Sequence, residues 1–214
     1  TGWYVKGKRK RDWSALEMTK DLCKRYTIPF SVLPKMMKSS KKFPYFYPTV
    51  LGFIPTHVQG IGTMFVTSTM VLGVDMEWFA TLPAEVAGGC LCHEVMHILK
   101  DYFRRASPFP DAELAGRAFD IPINDDLRAA GVLLPDWVIY SDTYKLPKGL
   151  TGEKYYELLG GVQFPADGRI GNGRCGSCDG YTLDVSKIED PGRPPMEVLH
   201  FRKQGIQAIK EHLA

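Results

Sequence analysis

The stretch that most constrains this chain runs from Thr81 to Arg105, TLPAEVAGGCLCHEVMHILKDYFRR. It predicts one long helix. Thr81 can cap the N-terminus, Pro83 fits the first turn, and Glu85 suits the positive end of the helix dipole. Within it lies His93-Glu94-Val95-Met96-His97, an HExxH. Residues four apart share a helix face, so the two imidazoles stand one turn apart, at a separation that suits Zn2+. Glu94 is then set to hold and deprotonate a metal-bound water. Val95, Ile98, Leu99 and Tyr102 fall largely on other faces and anchor the helix in a core. The chain has five histidines, so composition alone gives an HExxH an expectation on the order of 0.01.

The chain has 214 residues, enough for one sizeable domain or a domain with an appendage. An apolar fraction of 44% is in the globular range. No run of 18 apolar residues occurs, so no membrane span is expected. No secretory signal is visible at the N-terminus, and five cysteines, an odd number, do not read as a secreted disulfide framework. A cytoplasmic setting is expected.

The net charge of +3 is unevenly spread. Residues 1–42 hold 12 Lys/Arg against 3 Asp/Glu, or +9, and the remainder 15 against 21, or −6. Lys6 to Arg11 and Lys35 to Lys42 form two basic clusters. Solvated flanks explain them better than a nucleic-acid patch, because no aromatic-interleaved recognition motif accompanies them.

Asp12 to Tyr26 reads as an amphipathic helix, and Phe43 to Tyr47 as extended chain, because Pro44 and Pro48 punctuate it. Val50 to Ile54, Thr63 to Thr67 and Met70 to Leu72 are β-prone. Strands just before an HExxH helix either supply an edge with which an extended peptide can pair or only pack beneath the helix. Asp111 to Ala130 is a second helix, capped by Asp111, stopped by Gly131 and kinked by Pro122, with Asp120 and Asn124 on one face. Val132 to Tyr140 reads as extended, Thr151 to Leu159 as a helix, and Pro195 to Leu213 as the last helix. Residues 161–195 read as loop, and Cys175 and Cys178 within it form half of a zinc-site pattern with no second half at useful spacing. Residues 1–45 are thus expected to be a basic, helical N-terminal segment and 46–160 the core. Residues 161–214 add a Gly-rich loop and a closing helix to the same domain.

LCHEVMHILKDYFRR, AFDIPINDDLRAAGV, LTGEKYYELL and GRCGSCDG, in that order, resemble a bacterial and phage family of predicted metal-dependent peptidases. In that family a metallopeptidase domain commonly precedes a von Willebrand factor A-like domain. The resemblance covers roughly residues 15–214. It implies an α+β, zincin-like fold: a small sheet packed on the HExxH helix, with a second helix bringing the last ligand. By motif match it implies His93 and His97 as ligands and Glu94 as general base. Asp120, in the family's A-x-D-x-x-x-N pattern, is the implied third ligand. A further family histidine falls at Tyr102 here.

The residues agree with Asp120. Among the carboxylates near in sequence, Asp101 would run along its own helix, and Asp125 and Asp126 are more simply solvated. Asp120 sits among Ala118, Phe119, Ile121 and Ile123, where a bare carboxylate is costly. Asn124 is expected to orient a ligand from behind, and Tyr155 or Tyr156 to stabilise an oxyanion. The expected activity is zinc-dependent hydrolysis of peptide bonds in a peptide or protein, with one Zn2+ activating water and Glu94 taking its proton. Two other readings stand beside it. One is a non-catalytic metal-bound scaffold acting through an AAA-type ATPase, as the family suggests. The other is a nucleic-acid-associated protein using the basic N-terminal segment.

Overall fold

The computed structural model describes residues 3–5, 8–10, 44–160 and 192–213. The expected helix at 12–26, the basic cluster at 35–42 and the Cys175–Cys178 loop lie outside them. At the N-terminus, β1 (Trp3–Val5) and β2 (Lys8–Lys10) pair antiparallel, with Trp3 opposite Lys10. The described part of the basic segment is thus a pair of antiparallel strands.

A 3-10 turn at Pro44–Phe46 leads into α1 (Tyr47–Val50). This corrects the expectation of extended chain. Pro48 falls in the first turn, where no N–H is needed, and burial of Phe46 and Thr49 decides the conformation. The sheet comprises β3 (Ile54–His57), β4 (Met64–Val66) and β5 (Val71–Val74), in the order β3-β5-β4. β5 lies in the middle, parallel to β3 and antiparallel to β4, and is buried throughout. A middle strand covered on both faces reads as an unbroken apolar run, as Val71-Leu72-Gly73-Val74 does.

α2 (Met76–Thr81) is capped by Asp75, and α3 (Ala84–Leu99) carries the HExxH. Thr81 thus closes α2 instead of capping α3, and its hydroxyl donates to the Trp78 carbonyl at 2.6 Å. Nor does the helix run on to Arg105. Asp101 adopts a left-handed conformation (φ 58°), and the chain restarts as α4 (Tyr102–Ala106). Tertiary contacts make that break affordable: Arg105 Nη1 donates to the Lys100 carbonyl (3.1 Å) and Arg202 Nε to that of Leu99 (3.4 Å). Carbonyls at a helix end need such partners.

α5 (Ala112–Ala129) begins as its sequence predicts, with Asp111 accepting from the Leu114 N–H at 2.9 Å. It is followed by Gly131 at φ 72°. α6 (Gly152–Leu159) is capped by Thr151, and α7 (Pro195–Leu213) closes the described chain. Residues 132–140 form no strand, and a 3-10 turn follows at Ser141–Tyr144. Among the described residues the architecture is mixed α and β, with a small three-stranded sheet and several helices.

Two apolar clusters hold these elements. The larger joins the sheet, α3 and α7 through residues such as Leu72, Leu91, Val95, Ile98 and Phe201. The smaller joins α4, α5 and α6 through Tyr102, Phe119, Ile121, Tyr155 and Leu159. α3 and α5 pack against each other where the two clusters meet.

Candidate metal centre and its cleft

Two helices each turn an i, i+4 pair toward the other: His93 and His97 on α3, Asp120 and Asn124 on α5. All four side chains and Glu94 are buried. His93 Nε2 and His97 Nε2 lie 2.9 Å apart, and Asp120 Oδ1 is 3.4 Å from each.

Asn124 fixes one ring. Its Nδ2 donates to the Ile139 carbonyl at 2.9 Å, which turns Oδ1 toward His93 Nδ1 at 2.8 Å. Oδ1 can only accept, so His93 Nδ1 carries the proton and Nε2 presents its lone pair to His97 and Asp120. This is the arrangement that orients a metal-ligating histidine from behind.

The donor set suits a divalent ion. Three tetrahedral donors, each about 2.0–2.2 Å from zinc, stand about 3.3–3.6 Å from one another. The observed edges of 2.9, 3.4 and 3.4 Å are close to that triangle. An imidazole lone pair and a carboxylate oxygen converging in a buried space call for positive charge between them. His93, Glu94 and His97 also offer one ligand atom each, all within 4.8 Å of one another. Glu94 is therefore beside the centre, while the Asp120 oxygen is nearer to both imidazoles.

Asp101, Asp125, Asp126, His57 and His200 have partners elsewhere. Asp101 pairs with Arg104 at 2.5 Å, Asp126 with Lys100 at 2.6 Å, and Asp125 with Arg128 at 3.1 Å. His57 Nδ1 lies 3.2 Å from the Val74 carbonyl, and the His200 ring packs near Phe201. Tyr102 packs its ring 4.9 Å from that of His97.

The two tyrosines expected at an oxyanion are placed otherwise. Tyr155 is fully buried in the smaller cluster and donates to the Pro147 carbonyl at 2.8 Å. The Tyr156 hydroxyl accepts from the Asp111 N–H at 3.4 Å, and its ring lies 4.3 Å from that of Phe109. Neither lines the cleft described next. On a short helix both tyrosines serve packing.

A narrow cleft opens beside His93, Glu94, Asp120 and Asn124, with room for about one water molecule at about 20 Å3. One wall carries Thr63 and Met64, at the start of the sheet's β4 edge. Another carries Trp78 of α2, and a third the segment from Leu134 to Val138. Sequence reasoning did not single out these walls. The signal in the sequence was the largely apolar run Val132-Leu133-Leu134-Pro135-Asp136-Trp137, read there as extended.

Two residues set the walls in place. Asp75 accepts from the N–H groups of Gly62 (2.9 Å), Glu77 (3.1 Å) and Trp78 (3.3 Å), tying the turn before β4 to the helix that bears Trp78. Burial opposes its charge, but backbone donors from Gly62, Trp78, Glu77 and Gly60 outweigh that and hold its pKa below the usual carboxylate value. Gly89 lets the third wall approach α3, since a Cβ there would lie 2.0 Å from the Leu133 carbonyl oxygen. Cys90 also lines the cleft, one turn before His93. Cys92 faces the core, where burial pushes its thiol up to about 12 and leaves it inert.

Residues 39–191, more than half of the chain, match the family described as "Putative metallopeptidase domain". No curated protein and no solved structure matches the chain.

Proposed function

The chain belongs to that family of metallopeptidase domains, and we propose that it is a zinc-dependent peptidase of the HExxH type. The observation that carries this reading is the buried convergence of His93 Nε2, His97 Nε2 and Asp120 Oδ1, with Glu94 beside it in the narrow cleft. We take those three atoms as the ligands of one ion. The small sheet and the HExxH helix, which share a core, support a zincin-like fold. The reading keeps a cytoplasmic setting and a peptide or protein substrate.

An ion bound there supplies Lewis acidity to a water molecule and to the scissile carbonyl. The protein supplies the rest. Glu94 accepts a proton from the attacking water on a carboxylate oxygen while the water oxygen bonds to the carbonyl carbon. It then delivers that proton to the leaving amide nitrogen as the C–N bond breaks, so the carboxylate is regenerated. Asn124 holds His93 in the tautomer that leaves Nε2 available. Among the described strands, β4 is hydrogen-bonded to β5 on one side, and Thr63 and Met64 reach the cleft. An extended peptide pairing with this edge would bring its backbone past Glu94.

Glu94→Gln tests the reading. The swap keeps size and polarity but removes the base, so metal content should match wild type while peptide hydrolysis falls by about 100-fold or more. Undiminished hydrolysis at wild-type metal content would reject the role given to Glu94.

A further inference from the structure

Tyr102 stands where an unbroken helix would not put it. At 3.6 residues per turn, a residue five on from His97 lies about 140° around the axis, on a different face. The Tyr102 ring nevertheless packs 4.9 Å from that of His97, tilted by 59°. The cause is Asp101. It takes a left-handed conformation, φ 58° and ψ 40°, and so turns the chain back before α4 starts at Tyr102. That conformation costs a non-glycine residue free energy, and it persists only where the surroundings impose it. Here Arg104 and Arg202 reach the Asp101 carboxylate at 2.5 and 3.5 Å, and Arg105 holds the Lys100 carbonyl.

The delivered ring is braced. Phe103 and Phe119 lie 5.0 and 5.6 Å from it, both edge-on. Phe119 is backed by Gly152 of α6, where a Cβ would lie 2.5 Å from its ring. His97, fully buried, thus sits between the His93 ring at 4.6 Å and a ring with little room to slide. Centroid separations of about 4.5–7 Å with tilted planes are the attractive range for ring pairs. Resting on the metal centre proposed above, we infer that Tyr102 is a positioning residue. Its ring holds the His97 imidazole in the orientation that points Nε2 at the ion, and the left-handed turn at Asp101 brings that ring into place. Asn124 aligns His93 by a hydrogen bond, and Tyr102 aligns His97 by packing.

The test measures the zinc affinity of the full chain by competition with a chromophoric chelator, and the visible spectrum of its cobalt-loaded form. His93→Ala is the blank for ions bound elsewhere. Tyr102→Leu keeps an apolar side chain but removes the ring. Zinc affinity should fall about 3- to 10-fold, the worth of one ring contact, and the cobalt bands should shift or broaden as His97 reorients. Tyr102→Phe should restore both. Phe109→Leu lies in the same aromatic cluster but against Phe119, so it should leave affinity and spectrum alone whatever it costs in Tm. Asp101→Gly and Asp101→Val both lose the carboxylate, but only glycine takes the left-handed turn freely. Asp101→Gly should bind zinc as wild type does, and Asp101→Val should bind it as weakly as Tyr102→Leu. This pair decides the matter even if Tyr102→Leu fails to fold. Affinity and spectrum unmoved in Tyr102→Leu, lost equally in Tyr102→Phe, or the same in both Asp101 variants would overturn the proposal. A wild-type chain that binds no better than the His93→Ala blank would defeat the metal centre itself, and the proposal with it.

Discussion

Asn124→Ala removes the amide that links His93 to the Ile139 carbonyl. Both contacts are short, 2.8 and 2.9 Å, and all three groups are buried. The substitution strands a ring N–H and a carbonyl, each costing about 1–3 kcal/mol when left unsatisfied. Asn124 also lines the cleft, so water can enter the space it vacates. The lower part of that range applies, and the metal-free protein should lose about 2–4 kcal/mol in denaturant unfolding. The second effect is on the metal. With His93 free to rotate or change tautomer, affinity should fall 10- to 100-fold in competition with a chromophoric chelator, or about 1.4–2.7 kcal/mol. Asn124→Asp separates the two effects. It keeps an acceptor for His93 Nδ1 but cannot donate to Ile139, so stability should fall while metal affinity is retained. If Asn124→Ala lost the stability but bound metal as wild type does, Asn124 would be a core residue and no guide to His93.

Gly89→Ala should move the cleft wall. Its Cβ would lie 2.0 Å from a backbone oxygen, which no side-chain adjustment relieves. Overpacking of about 1–3 kcal/mol, offset by up to about 1 kcal/mol of helix propensity, predicts a modest loss in Tm but a larger rise in KM for peptides. An unchanged KM would mean that the wall does not position substrate. Glu153→Gln tests the tie between α6 and α4. The Arg105 guanidinium, bonded to both Glu153 oxygens at 2.7 and 2.6 Å, holds that carboxyl down to about 2, from an ordinary 4.5. A depressed pKa stabilises the fold fully above 4.5, and the contribution is lost as pH falls toward 2. Both partners are partly exposed, so the variant should lose less than about 1 kcal/mol at pH 7 and flatten the acid limb of a stability–pH curve. An unchanged acid limb would contradict this assignment.

The candidate site was legible because its chemistry is periodic. His93 and His97, like Asp120 and Asn124, are pairs four residues apart, and a helix puts such pairs on one face whatever surrounds it. Asp120 stood out as a carboxylate among apolar neighbours, and the structure buries it against both imidazoles. Caps were legible for the same local reason: Asp111 and Thr151 each accept from an N–H three residues on. What local chemistry does not encode was missed. The break at Asp101 depends on Arg105 and on Arg202, the latter about a hundred residues away, reaching the carbonyls of α3. Thr81 gave way to Asp75 as a cap because the chain makes two helices there, not one. The tyrosines of α6 have the chemistry for an oxyanion, but packing against α5 turns them from the cleft. The cleft wall from Leu134 to Val138 has no period at all, and only the approach permitted by Gly89 brings it to the histidines.

The central claim is one ion held jointly by His93, His97 and Asp120. A crystal structure of the zinc-loaded chain, with diffraction collected across the zinc edge, tests it most directly. The account predicts one anomalous peak per chain, about 2.0–2.2 Å from His93 Nε2, His97 Nε2 and an Asp120 oxygen. A peak with Asp120 turned away and Asp101, His57 or His200 in its place, or no peak between the two imidazoles, would contradict it.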